Sequence, residues 1–165
     1  GLSTPEHLME VLRRDWAVAQ RDGRTLTLMH FDLDAFRDYR EVFGRGATEN
    51  VLRQVGRTIA AAMRRGSDVV ARMAEDEFGM FAVGMDADAA FSYAGQIVGR
   101  VRALAILHPR ARAGRYLTAS VGVVTAVAPR SLGCEVMLEA ARQALEEAKA
   151  AGGNCAVAGT IPDTP

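Results

Sequence analysis

Arg72-Met73-Ala74-Glu75-Asp76-Glu77-Phe78 lies between two short apolar runs, Asp68-Val69-Val70-Ala71 and Phe78-Gly79-Met80-Phe81-Ala82-Val83. Short runs rich in Val and Phe read as strands. The three consecutive acids then stand at the tip of a hairpin. Carboxylates crowded at one tip repel one another and gain nothing by packing, so a cation is a fitting partner. The alternative is a tip that is exposed and merely solvated.

Upstream, Gly66-Ser67 breaks the chain after an expected helix over 47–64, with Val51, Leu52, Val55, Ile59 and Ala62 inward. Gly44-Arg45-Gly46 reads as a turn, and Asp34 as the cap of a short helix over 35–43. Residues 26–33, Leu-Thr-Leu-Met-His-Phe-Asp-Leu, are apolar on both faces, which places this strand centrally in a covered sheet. His30 is its odd member; with no second His nearby, a buried, hydrogen-bonded imidazole is a simpler reading than a ligand. Asp32 stands at the strand's carboxyl end, where open α/β sheets place ligands. A first helix is expected over 3–22. Ser3 and Glu6 read as its capping box, Pro5 suits the first turn, and Gly23 ends it. Leu8, Val11, Leu12, Trp16 and Ala19 share one of its faces.

Downstream, a long helix is expected over 86–107, with Phe91, Ala94, Ile97, Val98, Val101 and Leu104 on one side. The basic loop 108–116 reads as a solvated rim, with an anion site as the alternative. A strand follows over 117–125, then a helix over 135–151 carrying Met137, Leu138, Ala141, Leu145 and Ala148. Gly152-Gly153 stops it, 154–157 adds a last short strand, and the tail 159–165 is expected to be loose or linker-like. The fold class is α/β (α+β), a central mixed sheet with helices on its faces, within one domain over 1–158.

The chain of 165 residues is long enough for one sizeable core. Its formal net charge is zero, so no global field recruits a nucleic acid polymer or an anionic membrane. No apolar run approaches a membrane span, so no direct membrane insertion is expected, and the N-terminus lacks a signal-peptide pattern. Cys134 and Cys155 have no metal-type spacing and read as thiols of a reduced compartment, hence a cytoplasmic location. The chain opens on Gly1-Leu2 without Met, as a piece of a longer protein or a chain with Met removed would.

Five segments, in order, resemble those of one family. Gly1-Leu2 resembles the end of an opening Thr-Gly-Leu. Residues 28–44 resemble a strand followed by Asp-x-Asp-x-Phe-Lys. Residues 71–78 fall where Arg-Tyr-Gly-Gly-Asp-Glu-Phe is usual. Thr118-Ala119-Ser120-Val121-Gly122 resembles a Thr-x-Ser-x-Gly strand, and 141–154 resembles Ala-Asp-x-Ala-Leu-Tyr-x-Ala-Lys-x-x-Gly-Arg-Asn. The chain thus resembles a GGDEF domain, the module of diguanylate cyclases, over nearly its whole length. The resemblance implies a palm-like nucleotidyl-cyclase fold with a five-stranded sheet. It also implies condensation of two GTP molecules into cyclic di-GMP across a two-fold homodimer. Magnesium would be held by Asp32, the carbonyl of Leu33, and Asp76, with Asp76 and Glu77 as the catalytic acids. Backbone amides of Ala35, Phe36 and Arg37 would cradle the phosphates, and Lys149 would contact them. Positions 40 and 49 would read the base. Such domains sit beside sensory modules and often precede an EAL phosphodiesterase domain.

The departures fall on the nucleotide site. Ala74 and Glu75 replace two glycines that let the backbone turn and approach the ligand. Glu75 adds a negative charge; two like charges ~5 Å apart cost ~3 kcal/mol at an effective dielectric of ~20. Arg40 replaces a base-reading Asn, and an arginine has only donors. Glu49 keeps a carboxylate one methylene longer than the usual Asp. Glu41, Arg45, Thr48, Glu146 and Gly153 stand where Asp, His, Gly, Tyr and Arg are usual. Arg65-Gly66-Ser67-Asp68 matches the family's Arg-x-x-Asp inhibitory site, where Arg65 and Asp68 would bind cyclic di-GMP; helix-end capping is the alternative. The expectation is a catalytically inactive, regulatory GGDEF domain that binds cyclic di-GMP or a nucleotide. The alternatives are an active diguanylate cyclase and a nucleotide-independent protein interaction module.

Overall fold

The computed structural model describes residues 2–62, 68–112 and 114–162. In chain order the elements are α1 (Pro5–Asp22), β1 (Thr25–Leu33), α2 (Phe36–Ala61), β2 (Val69–Ala74) and β3 (Glu77–Val83). They continue as α3 (Ala87–Ala103), β4 (Ala119–Val127), α4 (Glu135–Ala150) and β5 (Ala156–Gly159). The five strands form one mixed sheet in the order β2-β3-β1-β4-β5. Its pairings are antiparallel except for β4 with β5. β1 is central, as its two apolar faces require. Met29, Phe31 and Leu33 point to a core shared with α2 and α3, whereas Leu26 and Leu28 point to one shared with α1 and α4. Two layers of helix thus cover one sheet, each fed by alternate strand residues.

Local chemistry accounts for most boundaries. α1 ends at Gly23, whose φ of 72° suits a residue without Cβ. Its cap is Thr4 rather than Ser3: the Thr4 hydroxyl accepts from the His7 amide at 3.1 Å. Ser3 instead lies along β2, donating its amide to Val70 O at 2.7 Å and accepting from Arg72 N at 3.3 Å. The expected break at 44–46 narrows to Gly44, where φ 80° and ψ −178° kink α2 into two segments. Thr48 Oγ1 donates to the freed Gly44 carbonyl at 2.6 Å.

Three expectations are corrected. α3 stops at Ala103, because the chain turns away after it and Leu107 pairs antiparallel with Tyr116. Phe91 is 44% exposed; Tyr93 fills the core in its place, since the buried stripe of α3 runs through Ala90, Ala94 and Ile97. The last strand lies two residues further on than expected and reaches Gly159, and Ile161 packs against the core beneath α4. No helix among the described residues is long and apolar enough to cross a membrane.

Candidate functional site

The carboxyl end of β1 and the tip of the β2–β3 hairpin meet. The amide of Leu33 donates to the carbonyl of Asp76 at 3.1 Å, and Asp32 stands opposite Glu77 in the ladder. Only Glu75 and Asp76 form the tip; Glu77 already belongs to β3. This places Asp32, Leu33, Asp76 and Glu77 together. Lys149, at the end of α4, joins them with Nζ 3.0 Å from Asp32 and 3.9 Å from Asp34.

Burial pushes the Asp32 carboxyl up to about 7; Lys149 opposes the shift and the Asp76 carboxylate adds to it. Asp32 Oδ1 is buried and has no hydrogen-bond partner among the described residues. A buried carboxylate with an orphaned oxygen beside a second carboxylate fits a hard divalent cation. No three His, Cys, Asp or Glu side chains among the described residues cluster to hold a metal. A cation held here would thus take two carboxylates from side chains and the rest of its oxygens from backbone or ligand.

Two further contacts were not legible locally. Glu77 Oε1 lies 2.7 Å from His30 Nε2, so the mostly buried imidazole finds its partner in the signature itself. Asp34 does not cap α2. Its carboxylate accepts from the hydroxyls of Thr118 and Ser120, each at 2.7 Å, and from the Asn154 amide at 2.8 Å. Asp34 thereby ties β4 and the end of α4 to the loop after β1. A Cβ at Gly153, whose φ is 79°, would lie 2.8 Å from that carboxylate, so this turn accommodates no side chain.

Ala35 adopts a left-handed conformation, φ 52°, at the start of α2. Phe36 is buried and stacks on Tyr39, whereas the Arg37 side chain is 88% exposed and lies 3.8 Å from Glu41. His108 is the site residue that sequence reasoning missed. It is fully buried; its Nδ1 accepts from the Arg110 amide at 3.3 Å, which leaves Nε2 to donate to the Ala35 carbonyl at 2.9 Å. A His-Pro step in a basic loop gave no sign of this.

Arg40 on α2 reaches Glu75 on the tip at 2.9 Å. Glu49, also on α2, faces Arg72 of β2 at 4.0 Å, and Arg72 Nε donates to the Glu75 carbonyl at 3.1 Å. Glu75 is therefore not the bare negative charge that the sequence suggests. Asp68 is buried at the opposite end of β2 from the tip, lining a cavity of about 350 Å³ with Tyr93 and Gln96. Arg65 lies outside the described residues.

A five-stranded mixed sheet whose central strand ends in a carboxylate, beside an acidic hairpin tip and a helix start, defines a palm-like α/β domain. Residues 1–155 match the model of the diguanylate cyclase GGDEF domain, and the chain belongs to that family. It is 35% identical over 157 residues to the cyclic di-GMP phosphodiesterase NbdA of Pseudomonas aeruginosa, covering 93% of this chain and 19% of that protein. It is 28% identical to the diguanylate cyclase DgcS of Shewanella oneidensis over 94% of this chain and 49% of the cyclase. The chain thus spans from about a fifth to about half the length of these relatives. Its fold matches the GGDEF domain of DgcB from Caulobacter crescentus, solved with c-di-GMP, at a TM-score of 0.84. That match has 23% identity and covers 95% of this chain and 91% of that one.

Proposed function

We propose that this GGDEF domain serves cyclic di-GMP signalling as a regulatory binding module without cyclase turnover. One observation carries the reading. The corner that would read a guanine holds Arg40, a donor-only cation already bound to Glu75. The cation end remains equipped: Asp32, Asp76 and the Leu33 carbonyl would hold magnesium, which would supply charge neutralisation for a triphosphate. Amides 35–37 would receive phosphate, with Lys149 released from Asp32 as the cation arrives. Arg65 and Asp68 would hold cyclic di-GMP away from the hairpin tip.

A phosphodiesterase among the relatives supports the regulatory reading, since the matched part there is one segment of a longer protein. In the whole protein, a sensory or EAL domain would read the ligand state of this one, in the cytoplasm, through a homodimer or an attached partner. Isothermal titration of the purified domain with cyclic di-GMP, beside incubation with GTP and magnesium, tests the proposal. Saturable heat at tens of micromolar ligand and no product are expected. Steady product formation would establish the cyclase alternative, and neither heat nor product would leave the protein-interaction module.

A further inference from the structure

Two oppositely polarised ion pairs join α2 to the hairpin. α2 supplies the cation in Arg40–Glu75 and the anion in Glu49–Arg72. Arg72 Nε, donating to the Glu75 carbonyl, ties the two pairs together. The Arg40 guanidinium also lies over the Phe36 ring, 6.0 Å from its centroid, and Phe36 is anchored in the core. Arg40 Nε is buried with no acceptor among the described residues. The guanidinium is therefore directed across the cleft by the Phe36 ring on one side and Glu75 on the other.

We propose that Arg40 and Glu75 form a clasp that closes the base-side corner of this cleft, so that the two residues set ligand choice as a unit and neither does so alone. This rests on the reading of the cleft as the nucleotide cleft. Each residue neutralises what the other would spoil. Without Arg40, the Glu75 carboxylate faces incoming phosphates unscreened. Without Glu75, Arg40 keeps its full set of donors against the guanine N–H edge, where an acceptor is needed. The side chains are 39% and 47% exposed, so their coupling is modest, up to about fivefold, and the clasp opens readily.

A double-mutant cycle tests this. Binding of a non-hydrolysable GTP analogue with magnesium is measured for the parent chain, R40N, E75G and the double variant. The double variant is expected to bind at least about tenfold tighter than the parent, and about fivefold tighter than the product of the two single effects predicts. Strict additivity, or no binding by any of the four at millimolar analogue, overturns the clasp. If E75G fails to fold, E75Q removes the charge alone and completes the same cycle. A second readout needs no ligand. Amide exchange at 75–77 and at 37–41 should accelerate in each single variant and recover in the charge swap R40E/E75R. Acceleration at only one of the two segments would show that the pair does not join them. Failure of the parent chain to bind cyclic di-GMP would sink the proposed function and leave both readouts unaffected.

Discussion

At the residue scale the decisive group is Asp32. Its ordinary carboxyl value is 3.8, and burial lifts it to about 7 in the folded chain. Between those values the folded chain keeps a proton that the unfolded chain releases. Stability therefore falls as pH rises through this window and levels off above it. Magnesium held at Asp32, as proposed, would compete for the ionised form, so it should stabilise the domain more at about pH 8 than at about pH 5. Urea denaturation at both values, with and without magnesium, checks this; D32N should flatten the pH slope and abolish the magnesium response. An equal magnesium effect at both values would place the cation elsewhere. The carboxylates of this site were legible in the sequence because the hairpin and strand end are local patterns. The partners of Asp34 were not: Thr118, Ser120 and Asn154 lie more than 80 residues away. A short-range rule therefore reads Asp34 as a cap. His108 escaped for the same reason, since its acceptor at Ala35 is 73 residues distant.

At the scale of elements, local sequence patterns anticipated the strands and helices of the described residues, with the two helices expected over 35–43 and 47–64 joined across a kink as α2, whereas boundaries moved where tertiary contacts override local signals. Ser3 left its cap role because the edge of β2 offered backbone partners, and Phe91 faced outward because the stripe through Ala90 and Ala94 fits closer to the sheet. Small residues matter at one interface above others. A Cβ on Gly122 of β4 would run into the Ala141 carbonyl and crowd Leu145 N at 2.5 Å, both backbone atoms of α4. α4 would have to lift, taking Lys149 away from Asp32. G122A should therefore destabilise the domain by about 1–3 kcal/mol, the range of overpacked cores. Gly95 of α3 has open space around its position, so G95A should stabilise by roughly 0.5–1 kcal/mol through helix propensity. Denaturant midpoints for the two variants should move in opposite directions; a loss of stability in both would mean that backbone contact at Gly122 is not the cause.

At the scale of the whole molecule, the two cores cannot come apart separately. β1 feeds Phe31 and Leu33 to one and Leu26 and Leu28 to the other, and pairs with β4 along its full length and with β3 from Leu26 to Asp32. Loss of either helix layer uncovers one face of the same central strand, so unfolding should be a single cooperative transition. A ligand that binds only the folded chain must then stabilise all of it, by about 2.7 kcal/mol at a hundredfold excess over its dissociation constant. For a domain of this size that raises the melting midpoint by roughly 5–10 °C. Cyclic di-GMP should produce this shift without changing the slope of denaturant unfolding, because the surface exposed on unfolding stays the same. Asp68 is buried, so D68A is judged by its ligand-induced shift relative to its own unliganded midpoint, with R65A as the companion variant. Both should lose the shift if these residues hold the ligand. A shift that survives in both variants would move the ligand from the end of β2 to the cleft at the hairpin tip, where D32N would then abolish it.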